Sequence, residues 1–320
     1  MWPFIVRRLL YAIPTLFGVS IVVFLVFSLA PGDFVDTNQR LTAERAQELR
    51  EIYGLDKGLV ERYFIWIGNA IQGQFGDSLQ FKQPVTDVIR TYMWNSFIIA
   101  SASLILSWFI AIVVGVISAS KQYSLFDSVT TILVMAAMSF PSFFIGLLMI
   151  KWFAVDLGWV PVGGMTTTAS DRTGFAYMWD VVKHAAMPVI VLSMLSIGSL
   201  TRYFRTSMLE VVRKDYIRTA RAKGLSEGKV IYKHALRNAL LPAITLLGFE
   251  LPGLFAGAII LEQIFNWPGI GRVSLDALNV RDYPLLMGFT MFMALLTVLG
   301  NLMADILYAV ADPRIRLDRR

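Results

Sequence analysis

The chain has 320 residues, of which 56% are hydrophobic and only 16% are charged. Soluble globular chains usually carry about 25% charged residues, so this composition excludes an ordinary soluble domain and indicates an all-α membrane protein with several crossings. The chain contains no cysteine and only two histidines, which argues against disulfides, Cys-bound zinc or iron–sulfur sites and a multi-histidine metal centre. The net charge of +6 is distributed as expected for membrane orientation, so we expect no nucleic-acid partner.

Long apolar stretches predict six transmembrane helices, because about 18 or more apolar residues suffice to cross a bilayer. They lie roughly at Leu9–Ala30, Asn95–Ala119, Ser128–Phe153, Ala185–Leu200, Ala239–Leu261 and Leu285–Val310. The fourth stretch is the shortest. Prolines within or beside these stretches are tolerated where neighbouring helices satisfy the freed carbonyl groups.

The stretches divide the chain into four parts. Residues 1–30 form the N-terminal end and first crossing, 31–93 a soluble insert, 94–311 a core with five crossings, and 312–320 a tail. The insert carries seven basic and nine acidic residues. Within it the pattern predicts a helix over Leu41–Tyr53 and a turn at Gly73–Asp77.

The distribution of lysine and arginine predicts the orientation. With six crossings, the N-terminus, the segment near Lys121, residues 202–238 and the tail share one side and carry 17 of the 29 basic residues. The positive-inside rule then places both termini in the cytoplasm and the insert outside.

Residues 202–238 are too long and too regularly patterned for a simple connector. Apolar residues up to Ala220 recur at helical spacing, Gly224 suits a helix end, and Ser226 and Glu227 suit the start of the next helix. A helix–turn–helix element that docks on a cytoplasmic partner fits this pattern. A basic loop that only sets topology or touches anionic lipid fits it equally well.

Two segments of this loop carry a family resemblance. They read Tyr216-Ile217-Arg218-Thr219-Ala220-Arg221-Ala222-Lys223-Gly224-Leu225-Ser226 and His234-Ala235-Leu236-Arg237-Asn238-Ala239-Leu240-Leu241-Pro242. They resemble the EAA loop of binding-protein-dependent ABC importer permeases, and specifically the B-type subunit of the dipeptide/oligopeptide permease family. Arg218 stands where the general EAA pattern has glutamate, as in the peptide-permease version.

Other matches follow in order along the chain. They are Ala30-Pro31-Gly32-Asp33, Tyr53-Gly54-Leu55-Asp56-Lys57, Phe265-Asn266-Trp267-Pro268-Gly269-Ile270-Gly271-Arg272, Arg281-Asp282-Tyr283-Pro284 and Asp312-Pro313-Arg314-Ile315-Arg316. The resemblance therefore extends over the whole chain.

The resemblance implies the type I ABC importer permease fold in a bacterial or archaeal plasma membrane. Such a permease forms half of a translocation pathway beside a second, similar permease. Its other partners are two cytoplasmic subunits that bind ATP and Mg, and an extracytoplasmic solute-binding protein. The 216–233 loop would contact the ATPases, with the coupling residues Thr219, Ala220, Arg221, Ala222, Lys223, Gly224, Leu225 and Ser226. Members of the family carry di- and oligopeptides, glutathione, nickel chelates or oligosaccharides.

The chain is not expected to be an enzyme. It has no G-x-x-x-x-G-K-[ST] loop, no H-E-x-x-H and no G-x-S-x-G, so ATP hydrolysis is expected in the partner subunits and no cofactor or metal in this chain. A secondary transporter, a membrane scaffold and an intramembrane hydrolase are less favoured alternatives.

Two acidic residues lie within the predicted crossings. Glu250 and Asp305 are candidates for the translocation path, since intramembrane charges usually face a bundle interior or water; a structural hydrogen bond to Asn301 is the alternative for Asp305. Gly253 and Gly257 form a G-x-x-x-G pattern that permits close helix approach. Four aromatic residues are predicted interface anchors: Trp152, Trp159, Trp267 and Tyr283.

Overall fold

The computed structural model describes residues 2–30, 44, 57–168, 171–256 and 258–311. Over these residues the chain is helical, and extended backbone pairs only in one isolated bridge between Asp77 and Pro84. The helices are α1 (Trp2–Leu29), α2 (Leu59–Ile71), α3 (Val85–Ser120), α4 (Leu125–Ser139), α5 (Ser142–Met149), α6 (Gly174–Val212), α7 (Asp215–Ala222), α8 (Leu236–Ala256), α9 (Ile259–Ile264), α10 (Ile270–Asn279) and α11 (Tyr283–Ala311). A π-helical segment, Ile150–Asp156, extends α5, and another, Lys229–Ala235, precedes α8.

Within these described ranges, five segments are long and apolar enough to cross a membrane. They are Val6–Leu29, Val85–Ser120, Gly174–Val212, Leu246–Ile264 and Tyr283–Ile306. A sixth candidate is the pair Leu125–Ser139 and Ser142–Asp156. The chain is therefore an all-α, multi-pass membrane protein.

The third predicted crossing is not one continuous helix. The chain bends by 98° between Ser139 and Ser142, where Phe140 adopts an extended backbone with ψ 136°. Pro141 causes the break, because a proline disfavours helical geometry in the residue before it. The apolar run Ser128–Phe153 predicts a single crossing, because a proline such as Pro141 can be tolerated within a membrane-spanning helix. Hydropathy alone does not reveal the break.

Two predicted crossings were too short because hydropathy marks only the part of a helix that suits lipid. The stretch Ala185–Leu200 lies inside α6, which has 39 residues. The second crossing begins at Val85 rather than Asn95. The short helices α2 and α10 were not predicted at all, because neither is long enough to give a membrane-length apolar run.

Other predictions have mixed outcomes. The turn at Gly73–Asp77 is confirmed, with positive φ at Gly73 and Gly76. Trp267 is not an interface anchor, because it is fully buried against Ile99 and Ala185. The helix predicted over Leu41–Tyr53, apart from Glu44, and the tail 312–320 lie outside the described residues.

The chain divides into two compact units, and the first comprises Met1–Ser96, Leu251–Ile259 and Pro268–Leu302. One of its cores joins the start of α3 to α10 and α11, with Val85, Ile270 and Leu285 almost completely buried. Beside it, the buried Asp282 carboxylate accepts hydrogen bonds from Ser78 Oγ at 2.6 Å and from the Gln80 N–H at 3.0 Å. The segment after α2 is thereby fixed to the turn between α10 and α11.

The second unit comprises Phe97–Glu250, Ile260–Trp267 and Met303–Arg320. Near the start of α6, the buried Asp180 accepts hydrogen bonds from the Thr167 N–H at 2.7 Å and Thr167 Oγ1 at 2.9 Å, and it pairs with Arg172. These bonds hold the segment before α6 against the helix. At the other end of α6, Phe204 and Met208 are fully buried in the cores that position the loop described next.

Candidate functional site

The helix α7 is a separate element because the chain between α6 and α7 becomes extended. Lys214 has φ −74° and ψ 150°, which ends the helical run before Asp215. Ile217 and Ala220 lie one turn apart on the same face of α7, and both are buried. Apolar burial therefore holds α7 on the ends of the longer helices. Its neighbours in this core are Val116, Ala119, Met208, Val230, Ala235 and Ala239.

Gly224 ends α7 with left-handed geometry, as the sequence predicted. Its φ is +74°, a conformation that costs glycine little because it has no Cβ. The Gly224 N–H donates to the Arg221 carbonyl at 2.9 Å, and the Leu225 N–H donates to the Ala220 carbonyl at 3.4 Å. This pair of bonds is a Schellman motif, which reverses the chain within a few residues.

An ion pair bridges the two sides of this turn. The Arg221 guanidinium donates two hydrogen bonds to the Glu227 carboxylate, Nη2 to Oε1 at 2.6 Å and Nε to Oε2 at 3.1 Å. These bonds lower the pKa of Glu227 and raise that of Arg221. Sequence patterning assigned Glu227 to the start of the following helix and missed its partner, because Arg221 lies six residues away across a turn.

The predicted coupling residues form one continuous protruding surface, with a single exception. Ala220 faces inward and is 7% exposed, so its side chain helps to seat α7 rather than to contact a partner. The others are exposed and adjoin one another around the turn: Thr219, Arg221, Ala222, Lys223, Gly224, Leu225 and Ser226. We call these seven residues the coupling surface.

A partly buried ion pair between α4 and α6, which the sequence did not predict, lies near this region. Asp127, in the first turn of α4, accepts hydrogen bonds from Arg205 Nε at 2.7 Å and Nη2 at 2.8 Å. It also accepts one from the Tyr123 N–H at 3.0 Å, while its own N–H donates to the N-cap Ser124 Oγ at 3.3 Å. The S-x-x-D spacing was a capping signal available in the sequence, but it could not identify Arg205 as the partner.

The two acidic candidates for the path lie on different helices, Glu250 in α8 and Asp305 in α11. An added Cβ on Gly248 would lie 2.4 Å from Ala304 Cα, so this face of α8 packs directly on α11. Glu250 is two residues further on, about 200° around the helix. It therefore points away from α11, and its side chain is exposed, whereas Asp305 is half-buried.

No group of three or more His, Cys, Asp or Glu side chains in the described part of the chain is placed to hold a metal ion. The site comprises the coupling surface and two carboxylates within candidate membrane-crossing helices.

Two family models match the chain. The model described as "Binding-protein-dependent transport system inner membrane component" matches residues 111–317. A second model, for the N-terminal part of the membrane components of binding-protein-dependent transport systems, matches residues 1–92. Together they leave only short stretches of the chain unmatched.

Curated relatives match over almost their full length. The chain is 41% identical to the oligopeptide transport system permease protein AppB of Bacillus subtilis, over 98% of this chain and 99% of that protein. It is 39% identical to the di/tripeptide transport system permease protein DppB of Pseudomonas aeruginosa, over 100% of both. It is 35% identical to the glutathione transport system permease protein GsiC of Escherichia coli, over 99% of both.

Proposed function

The chain belongs to the family of inner membrane components of binding-protein-dependent transport systems, and from that premise we propose how it works and what it carries. It is a permease subunit of an ABC importer. Its substrates are di- and oligopeptides, and it forms half of the translocation path. The names of the oligopeptide and di/tripeptide relatives support the choice of substrate.

The proposed coupling site is the coupling surface, which docks on the cytoplasmic ATPases. The observation that carries this assignment is the combination of a seated helix and an exposed turn. Ile217 and Ala220 fix α7 to the ends of the longer helices, while the residues from Arg221 to Ser226 remain exposed. A docking element needs this arrangement, because a load applied at the turn is transmitted to the spans only if α7 cannot move independently.

The remaining partners follow from the same proposal. A second, similar permease supplies the other half of the path, two ATPase subunits bind ATP and Mg and hydrolyse ATP, and a solute-binding protein delivers the peptide outside. Both termini and the coupling surface face the cytoplasm, in agreement with the excess of lysine and arginine on that side. The segment between the first two crossings lies on the opposite side of the membrane.

Replacing Gly224 tests the coupling assignment. An added Cβ there meets nothing within 4 Å, so the cost of a substitution arises from the positive φ alone. Left-handed geometry costs a non-glycine residue about 1–2 kcal/mol, and about 1.4 kcal/mol corresponds to a tenfold change in binding. We expect Gly224→Val, which is β-branched, to weaken ATPase association roughly tenfold and to abolish most ATP-driven peptide uptake.

Gly228 provides a matched control because it is also open to solvent but has a helical φ of −59°. Gly228→Ala should bind the ATPases and transport peptide normally, and Gly224→Asn should fall between the two, since asparagine tolerates left-handed geometry. Membrane yield and thermal stability of each variant report on folding. Normal ATPase pull-down and normal uptake by Gly224→Val would show that the coupling assignment is wrong.

The substrate is tested separately with the assembled complex in vesicles. We expect ATP-dependent uptake of a labelled dipeptide or tetrapeptide, with competition by unlabelled peptides. If the complex takes up glutathione and neither peptide, the proposed substrate is wrong. The assignment of the coupling surface would not be affected by that result.

A further inference from the structure

The helix α2 lies in the segment that composition marks as a soluble insert, but it packs on the membrane-spanning part of α1. The Tyr63 hydroxyl is hydrogen-bonded to Ser20 Oγ at 2.9 Å. The Tyr63 ring lies 5.3 Å from the Phe24 ring, and the Trp66 ring lies 5.8 Å from it. Phe17 also contacts Tyr63, with ring centroids 6.3 Å apart.

These contacts fix the depth of α2 along α1. The candidate crossing Val6–Leu29 has 24 residues and is about 36 Å long, against a hydrocarbon thickness of about 30 Å. Phe17 is close to its midpoint, and Phe24 is about 7 Å before its end. Tyr63 therefore lies at the level of the hydrocarbon layer, not above it.

The helix α11 gives the same depth independently. Phe27 of α1 contacts Tyr283 at the start of α11, with ring centroids 5.7 Å apart, so these two helix ends are level. Met287, one turn into α11, is buried in the same cluster as Phe24, and Met291 packs against that cluster together with Trp66. Both spanning helices place α2 in the half of the membrane that contains the C-terminal end of α1.

The outward side of α2 is apolar. Val60, Phe64 and Ile71 recur at spacings of four and seven residues, which puts them on one stripe, and they are 67%, 64% and 80% exposed. Charged residues lie along one edge of this stripe, because Glu61, which pairs with Lys57 at 3.1 Å, follows Val60 about 100° around the helix. A helix with one apolar side and one charged edge suits a position in a leaflet parallel to the membrane surface.

We propose that α2 is a membrane-embedded helix whose Val60–Phe64–Ile71 stripe contacts the acyl chains of the outer leaflet. Its partner is phospholipid. Tyr63, the neighbour of Phe64, contacts α1 at Ser20 and Phe24, which flank the exposed Val22 of this bilayer-crossing helix. The polar edge of α2 can extend toward the headgroups. The proposal depends only on the crossing by α1, so it is independent of the coupling site and the substrate.

The absence of native cysteine allows a direct test by spin labelling. Single cysteines replace Phe64 on the stripe, Val22 on α1 as a lipid control, and Gln74 in the exposed turn after α2 as a water control. Collision rates with oxygen, which concentrates in lipid, and with chromium oxalate, which stays in water, are measured on the assembled complex in phospholipid vesicles. We expect the label at Phe64→Cys to collide with oxygen at the same rate as the label at Val22→Cys. Its collision rate with chromium oxalate should be several-fold lower than that of the label at Gln74→Cys.

Each other result would overturn the proposal. Free access of chromium oxalate to the label at position 64 would place the stripe in water. Low collision rates with both reagents would show that protein covers the stripe, whether the second permease or the solute-binding protein. Membrane yield and peptide uptake are measured for each cysteine variant before labelling, so that collision rates are compared only between intact complexes.

Discussion

Glu227 and Arg221 connect the two helices that flank the coupling surface, and both are partly exposed. Exposed ion pairs contribute only about 0.2–1 kcal/mol, so this one affects the shape of the turn more than the stability of the whole chain. The two-point contact of a guanidinium with a carboxylate restricts geometry as well as distance. The pair therefore complements Gly224, which permits the turn but does not restrain it.

The pair predicts a specific response to pH. Because Arg221 lowers the pKa of Glu227, the pair stabilises the fold fully above the ordinary glutamate pKa of about 4.3, and this contribution is lost as pH falls through the lower folded value. A spin label at Leu225→Cys should keep constant mobility from about pH 5 to 8 and become more mobile below about pH 4. Adding Glu227→Gln should make the label mobile at neutral pH and remove the acid transition.

Glu210 serves as a control for that measurement, because it is exposed in the same region. The acid transition should persist in Glu210→Gln. A transition that survives Glu227→Gln would mean that another group controls the turn.

Glu250 is predicted to face water in the translocation path. An ionised side chain at the bilayer centre costs about 2.5–3.5 kcal/mol on insertion scales, and Glu250 is exposed on the side of α8 that points away from α11. Glu250→Cys should therefore react with a charged, water-soluble maleimide in at least one nucleotide state of the assembled complex.

Two other positions serve as controls for the labelling experiment, one expected to face lipid and one expected to face water. Ile105→Cys, at a strongly exposed position in the apolar part of α3, should not react, whereas Leu225→Cys on the coupling surface should. Failure of Glu250→Cys to react both with trapped ATP and without nucleotide would remove Glu250 from the path.

At the scale of helices, α8 packs tightly on α11 at Gly248, whereas Gly253 of the predicted G-x-x-x-G pattern has no close neighbour. A Cβ on Gly253 would meet nothing within 4 Å, while one on Gly248 would overlap the backbone of Ala304; Gly257 lies outside the described residues. The close approach predicted from the pattern is not found at Gly253. The sequence could not identify Gly248 instead, because that contact depends on where α11 passes.

This difference predicts opposite effects of two similar substitutions. Gly248→Ala should destabilise the protein by about 1–3 kcal/mol, because the extra methyl group overpacks the contact between α8 and α11. The backbone of Ala304, which it would meet, cannot move aside as a flexible side chain could. Gly253→Ala should be neutral or stabilising by up to about 1 kcal/mol, since alanine is the better helix former. Thermal unfolding of the two purified variants in detergent measures the difference, and equal stabilities would contradict the packing at Gly248.

For the whole molecule, sequence periodicity and hydropathy predicted the features that depend on local spacing. The helix class, the membrane character and the turn at Gly224 belong to this group, whereas the coupling residues were implied by the family resemblance. The resemblance to peptide permeases is confirmed by relatives that match over nearly the full chain. Assignment of the coupling surface and of Glu250 to their functions stays a prediction until the substitutions above are measured.

What sequence could not provide depends on contacts between distant segments. Asp127 meets Arg205 across 78 positions, and Ser78 meets Asp282 across 204. The depth of α2 is another case: its charges suggest an aqueous segment, and only the contacts of Tyr63 with Ser20 and Phe24 place it beside a spanning helix. Burial of Trp267 is decided in the same way, by Ile99 and Ala185.

The uninterrupted length of α6 has a mechanical consequence. Its 39 residues make a rod about 58 Å long, nearly twice the hydrocarbon thickness. Asp180 is hydrogen-bonded to Thr167 near one end, and Phe204 and Met208 are buried near the other. Pivoting a stiff rod of that length by about 5° sweeps its tip through an arc of about 5 Å. Pro188, which removes one backbone hydrogen bond within the helix, is the point where such a rod bends most easily. A bend at Pro188 would reduce the part of any tilt at the Asp180 end that reaches α7.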